Sequence, residues 1–466
     1  MASTLSAAVA PQYAKSPAVS LPVRRLIAFS ALMLPITAAQ VPIGVFLPSL
    51  YAQHFALPLA SVGAIFLVER TWGTLADPLV GVLSDRTKSR FGRRKSWIAC
   101  GAALYAIATI FLFFPFLKVT PLYLLISLFA FYLAWSMMQI PYLAWSGEVS
   151  SDYHERTRIA TAQAVMAAVA LLVVLTLPTI VDQVRPHDAA LKLGVMGGLI
   201  LLSLPPTLIL TLRAFVETPA PSHAPVRRIA FAEALRLLIR EGPLARVFFS
   251  DFAVSTGQGI RAALIIFFVT SYMDLPKWSS GLFLVQFVFG IAAAPVWASI
   301  SRRYGKIRTA VAAELIQAAI NVGLLGVTRG QIALLLALTI AQGLAQGSGN
   351  LMLRSMMAEV ADRHRLKTHV DRTALFFSVF SISQKAGMAA AVGIALPLVA
   401  WLGFDPAAKS NSPQALHALA VVFALGPAIA HIISAALIRG FPIDQARYAE
   451  IRRELDARDA REASSG

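Results

Sequence analysis

The stretch Gly81-Val-Leu-Ser-Asp-Arg-Thr-Lys-Ser-Arg-Phe-Gly-Arg-Arg-Lys95 has a shorter partner, Ala298-Ser-Ile-Ser-Arg-Arg-Tyr-Gly-Lys306. Ser84 matches Ser301, and Phe91-Gly92 matches Tyr304-Gly305 after a four-residue deletion. Pro78 and Pro295 precede the two loops at corresponding places. A second pair agrees as well: Glu148-Val149 with Asp152 against Glu359-Val360 with Asp362. Each basic loop follows an apolar stretch long enough, at about twenty residues, for a helix to cross a bilayer. Matches at equivalent loops mark a chain built from two parallel repeats.

Outward from these loops, apolar stretches recur near 26–50, 59–84, 96–117, 121–146, 159–182 and 193–212. A second set lies near 245–273, 279–300, 309–327, 331–352, 373–401 and 415–438. The 466 residues are 57% hydrophobic and 14% charged, against about 25% charged in a soluble domain. The mean hydropathy is +0.67. In lipid every backbone polar group needs an internal partner, so the stretches are read as helices. An all-α membrane protein of twelve transmembrane helices in two six-helix halves is predicted.

The net charge of +17 does not form one basic face, so nucleic acid is not the expected partner. With twelve spans, loops on the side of the termini hold roughly 32 Lys and Arg and the opposite loops roughly six. That bias predicts cytoplasmic termini. Cys100, the single cysteine, excludes an intrachain disulfide. Residues 1–25 read as a disordered cytoplasmic tail without a signal peptide. Residues 213–246 read as a cytoplasmic linker. It begins with Thr218-Pro-Ala-Pro221 and continues as an amphipathic helix, with Phe231, Leu235, Leu238 and Ile239 opposite Arg228, Arg236 and Arg240. The halves are then 26–212 and 247–438, and 439–466 is a cytoplasmic C-terminal tail.

Asp77-Pro-Leu-Val-Gly81, Ser84-Asp-Arg-Thr87 and Arg90-Phe-Gly-Arg-Arg-Lys95 resemble the glycoside–pentoside–hexuronide:cation symporters, the melibiose permease-like family of the major facilitator superfamily. Gln139-Ile-Pro-Tyr142, Glu148-Val-Ser-Ser-Asp-Tyr153 with Arg156-Thr157, and Gln384-Lys-Ala-Gly387 extend the similarity over both halves. The resemblance implies the major facilitator fold, with sugar and cation sites near the membrane midplane. It also implies that Asp77 is the cation-site acid and Lys385 the eleventh-span lysine. The family's other polar positions fall here on Gly73, Gln139 and Gln163, and the first span contains no acid. The fold and class therefore transfer, while the sodium site and melibiose-like specificity do not.

Charges at the bilayer centre are costly, roughly 2.5 kcal/mol or more, so those present are functional candidates. Glu69, Gly73 and Asp77 share one side of the second span. Glu69 is thus placed to supply the carboxylate missing at Gly73. Asp77, Glu69 and Lys385 are the coupling candidates, for a proton or sodium; fixed ion pairs with Arg70 or Lys385 are the structural alternative. Arg261 in the seventh span calls for an acidic substrate or for an internal pair with Asp77 or Glu69. Gln342, Gln346 and Asn350 form a polar stripe in the tenth span, with Gly343 and Gly347 set for close helix contact. With Gln139, Gln163 and Arg261 they are the substrate-binding candidates. Gln40 adds another amide, and Trp72, Trp135 and Trp145 are candidates for stacking on a sugar or for interface anchoring. Asp251 is expected near the wetted end of the seventh span, and His431 packed in the twelfth. Asp85, Arg86, Arg93, Arg94, Glu148, Asp152, Glu359 and Asp362 are candidates for a cytoplasmic gate.

The expected function is cation-coupled symport of a saccharide or related, possibly acidic, hydrophilic solute by alternating access. A lysolipid or amphiphile transporter is the alternative. No His-Glu-x-x-His or Gly-x-Ser-x-Gly motif occurs, so no enzyme, cofactor or metal centre is expected. The expected partners are a small-molecule substrate and the bilayer of a bacterial inner membrane, with the monomer as the working unit.

Overall fold

The computed structural model describes residues 21–87, 89–150, 152–217 and 231–465. Most of the N-terminal tail, and the Pro-rich start of the linker, lie outside the described residues.

The first span is one broken helix, α1 (Val23–Ser30), α2 (Met33–Ala38), a π segment (Pro42–Phe46) and α3 (Leu47–His54). Pro35, Pro42 and Pro48 remove backbone donors, so a regular helix is not maintained here. The next five spans are α4 (Leu59–Arg86), α5 (Arg93–Phe113), α6 (Pro121–Glu148), α7 (Tyr153–Val184) and α8 (Ala189–Ala214). The short α9 (Phe231–Arg240) follows. The second half comprises α10 (Gly242–Phe267), α11 (Ser279–Tyr304), α12 (Lys306–Gly323), α13 (Ile332–Gln346), α14 (Gly349–Thr368), α15 (Thr373–Trp401) and α16 (Pro413–Arg439). α17 (Gln445–Ser465) closes the described chain.

Among the described residues, eleven segments are long and apolar enough to cross a membrane. α4 is not among them because it carries Glu69, Arg70 and Asp77, yet its 28 residues equal those of α6. Outward-facing Leu122, Ile126, Leu202 and Ile394 are more than half exposed and form part of the lipid-facing surface.

The repeat is visible in the backbone. Gly92 and Gly305 stand before α5 and α12 with φ of 100° and 84°, a region open to glycine. A Cβ at Gly92 would also meet Glu217 at 2.2 Å. Glu217 accepts the backbone N–H groups of Arg94 (2.8 Å) and Lys95 (3.2 Å), placing a carboxylate at the positive end of α5. The repeat extends to side chains: Glu148 pairs with Arg93 (2.8 Å) and Arg94 (3.0 Å), and Glu359 pairs with Lys306.

Three elements depart from the sequence reading. The tenth span breaks at Gly347-Ser348 and continues as α14 well past residue 352. α9 buries Leu237 against α10 and α15, while Ile239 is largely exposed, so its apolar face is shared between protein and surroundings. The C-terminal segment is helical because Ile451 and Leu455, one turn apart, bury against α14. Tyr448 donates to Asp362 at 2.8 Å. Burial, then that carboxylate, push its hydroxyl up to about 12, so it remains a donor at neutral pH.

The halves meet along α4–α15 and α7–α11. At the face away from the termini, Asp182 accepts Ser279 Oγ (2.9 Å) and the N–H of Ser280 (2.8 Å) while paired with Lys192. Gln53 reaches Thr270 (3.4 Å) and Gln183 reaches the Lys277 carbonyl (2.8 Å) across the same junction. On the termini face, the ion pairs among the described residues stay within one half or its flanking segments.

Candidate functional site

A cavity of about 390 Å³ lies between the halves. The N-terminal half contributes Gln40, Gly44, Arg70, Tyr132 and Trp135 to its wall, and the other half Arg261, Gln286, Gln342, Gln346 and His431. The π segment brings Gly44 beside Arg70: a Cβ at Gly44 would lie 3.6 Å from the guanidinium Nη2. A separate vestibule of about 880 Å³ opens among the loops away from the termini, and the two cavities share no lining residue.

Arg261 is only 4% exposed. Its Nε donates to Gln286 (3.2 Å), its Nη1 to Asn321 (3.0 Å), and it sits 5.2 Å from the Phe423 ring centroid. Gln286 donates to Gln346 (2.7 Å); Asn321 donates to Gln342 (3.2 Å), which donates to Gln317 (3.2 Å). Small residues make this amide web possible. A Cβ at Gly343 would stand 2.4 Å from the Gln286 carbonyl oxygen, and one at Gly347 would stand 2.8 Å from that of Gly290. Among the described residues Arg261 has neutral hydrogen-bond partners and no ion pair, so its charge is positioned but not cancelled. The internal pair with Asp77 or Glu69 that the sequence left open is absent from this arrangement.

Asp77 instead joins the halves. It accepts Lys385 Nζ from α15 at 2.5 Å and Ser136 Oγ from α6 at 2.5 Å. Glu69 is fully buried, and neither carboxylate oxygen has a partner. Its Oε1 lies 4.0 Å from the point a Gly73 Cβ would occupy, so the carboxylate reaches toward the vacant position. A buried carboxylate without a hydrogen-bond partner is stable only when protonated or beside a cation.

The remaining candidates divide. Gln342 and Gln346 line the cavity; Asn350 belongs to the first turn of α14. Gln139 and Gln163 are not among the lining residues. Gln139 lies one turn from Trp135 toward the termini face, while Gln163 is buried in α7. Trp135 lines the cavity and donates to the Ile36 carbonyl (3.1 Å). Trp72 stacks on Phe129, and Trp145 is buried against Phe29. Asp251 is fully buried on Ser383.

Asp85, Arg93, Arg94 and Glu148 form one network in the first half, with Arg94 and Asp85 2.5 Å apart. Asp152 caps α7 through the Glu155 N–H (2.9 Å), and Arg86 is exposed. Glu359 and Asp362 are held by Lys306 and by Tyr448 in the second half. The sequence reading passed over Asp182, Lys192, Gln286, Glu314 and Asn321. Each is a polar residue within or at the edge of an apolar run, which was the available signal.

A family profile described as MFS/sugar transport protein matches residues 28–445. The uncharacterized symporter sll1374 of Synechocystis is 24% identical, with 86% of this chain and 91% of that one covered. The putative glycoside/cation symporter YagG of Escherichia coli is 22% identical (87% and 88% covered). The human sodium-dependent lysophosphatidylcholine symporter 1 is also 22% identical (87% and 80%). The crystal structure of the nucleoside transporter NupG superposes with a TM-score of 0.64 at 13% identity, covering 89% of this chain and 98% of that one, a likeness of fold. With a repeat of six spans, a cavity between its halves and a profile match across nearly its whole length, the chain belongs to the MFS/sugar transport protein family.

Proposed function

We propose that this protein is a cation-coupled symporter of acidic saccharides or related hydrophilic anions, working as a monomer by alternating access. The observation that carries the reading is Arg261, fixed by neutral amides in the cavity wall with Arg70 on the other side. A cavity of about 390 Å³ falls within the range of small-molecule sites, about 300–1,000 Å³. Two guanidinium groups that make no ion pair among the described residues favour an anion that brings its own charge, and the amides offer donors and acceptors for hydroxyl groups. Asp77, Lys385 and Glu69 are the coupling groups, with proton or sodium as the ion.

In proteoliposomes, an imposed cation gradient should drive accumulation of glucuronate above its outside concentration, with sodium and proton gradients imposed separately. The second reading, an amphiphile with an anionic head, draws on Phe283 and Phe287 in the wall and on the lysophosphatidylcholine relative. Transport of lysolipid with no movement of glucuronate would replace the first reading with this one.

The charge bias puts both termini in the cytoplasm, in a bacterial inner membrane. The hydrogen-bonded junction at Asp182 is then periplasmic, and the lack of ion pairs between the halves on the termini face among the described residues supports an inward-facing conformation. The charged clusters at Arg94 and Glu359 are candidates to meet when the cytoplasmic side closes. In a Cys100→Ser background, Ser410→Cys should react with an impermeant maleimide added outside cells and Ser222→Cys should not. The reverse pattern would invert the topology.

A further inference from the structure

Two acids in the second half remain outside the scheme so far. Glu314 of α12 is fully buried; its Oε2 lies 2.6 Å from His431 Nδ1 of α16, and its Oε1 has no partner. Asp251 of α10 is also fully buried, held by Ser383 through one oxygen, and its Oδ1 has no partner. The Glu314 charge bears on Asp251, and Ser250, next to Asp251 in α10, reaches the same stretch of α16 as Glu314. Ser250 shares a 2.8 Å hydrogen bond with Ser434, one turn from His431.

His431 is also part of the cavity wall. α10 and α16 touch closely at that depth: a Cβ at Gly257 would lie 2.9 Å from Ala430 Cβ, and one at Gly426 3.1 Å from Ile260. Arg261 and His431 therefore line one cavity from adjacent helices. A packing histidine has no need of a buried carboxylate, and a buried carboxylate oxygen without a partner beside it calls for an explanation.

The charges facing this pair are few. α10 offers Asp251 and Arg261, and α12 carries Glu314 itself. On α15, Lys385 is already held by Asp77, and on α14, Glu359 is held by Lys306 at the far end of α12. Asp251, Glu314 and Arg261 thus leave one excess negative charge while both acids are ionised and His431 is neutral. A proton on His431 cancels it. An anion bound at Arg261 makes the surroundings more negative and strengthens the hold on that proton.

We propose that Glu314 and His431 form a proton-binding site in the second half whose protonation is linked to anion binding at Arg261. The proton comes from water and converts the imidazole to imidazolium, beside the Glu314 carboxylate and the bound anion. The linkage is reciprocal, so a proton on His431 raises anion affinity by the factor that the anion raises proton affinity. The proposal deepens the acidic-substrate reading and rests on it.

The test is titration calorimetry of the purified transporter with glucuronate, in buffers of different ionisation enthalpy. Wild type should take up a proton on binding. Between the titration point of the ligand-free pair and that of the ligand-bound pair its affinity should fall about tenfold per pH unit. His431→Gln and Glu314→Gln, checked for unchanged melting, should bind without proton uptake and with flat pH dependence. Binding with proton uptake unchanged in both variants overturns the site and leaves the substrate reading standing. Absence of glucuronate binding to wild type sinks the substrate reading instead. The site is then judged by nuclear magnetic resonance of labelled histidine in the ligand-free protein. A His431 signal that titrates and shifts its titration in Glu314→Gln supports it, and a signal that never titrates overturns it. Sodium added in place of choline should release no proton; release abolished by Glu314→Gln would make this a sodium site and overturn the proposal.

Discussion

Proteoliposomes containing Asp77→Asn are expected to equilibrate their substrate across the membrane and to go no further. Asp77 is shared by Lys385 and Ser136, each at 2.5 Å, and the lysine comes from the other half of the molecule. With Asp77 as the proposed coupling acid, an incoming cation would have to compete with the Lys385 ammonium for this carboxylate, which would tie cation binding to the contact between the halves. Asparagine retains the size and one acceptor oxygen but neither attracts a cation nor holds the lysine. One charge moved through 100 mV is worth about 2.3 kcal/mol, roughly fiftyfold in accumulation, and that factor should be lost. Exchange of labelled for unlabelled substrate should persist, because it needs no net movement of the cation. Accumulation at the wild-type level would remove Asp77 from coupling.

Arg261→Gln is expected to separate acidic from neutral ligands. The glutamine keeps an amide next to Gln286 and Asn321, so the web of hydrogen bonds retains its chemistry while the charge disappears. Removing one side of a desolvated charge pair costs about 2 kcal/mol or more, so glucuronate affinity should fall roughly thirtyfold or further. A neutral sugar of the same shape loses one hydrogen bond at most, about 1 kcal/mol, or roughly fivefold. Parallel calorimetry of the two ligands on wild type and variant provides the comparison. Equal losses would identify Arg261 as a scaffold for the amides and end the case for an acidic substrate. Arg70, on the other side of the cavity with its Nε unpartnered, is the group able to retain residual anion selectivity.

The cytoplasmic gate candidates teach a related lesson. Arg94 has Asp85, Glu148 and Ser84 around it, all from its own half, and Glu359 has Lys306. Sequence motifs marked these residues as charged partners in equivalent loops. Which partner each takes in a given conformation depends on how far apart the halves stand.

The sequence by itself determined the all-helical membrane fold, the two repeats and the apolar stretches that become the spans. These are local or one-dimensional properties: apolar length, residue identity at equivalent loops, and charge between spans. The breaks in the first and tenth spans were announced by Pro42 and by Gly347, though a count of apolar residues passed over them. Tertiary structure alone decided the partners of the buried polar groups. Lys385 meets Asp77 across 308 residues of chain, Glu314 meets His431 across 117, and Arg261 finds amides from two other helices instead of an acid. Gln139 and Gln163 matched family positions in order along the chain, yet the helices carrying them do not bring them to the cavity wall. A polar residue in a membrane helix announces that it must have a partner or a wet surface. Which one it has follows from the rotation of each helix and its neighbours in the bundle, and those are set by packing among residues remote in sequence.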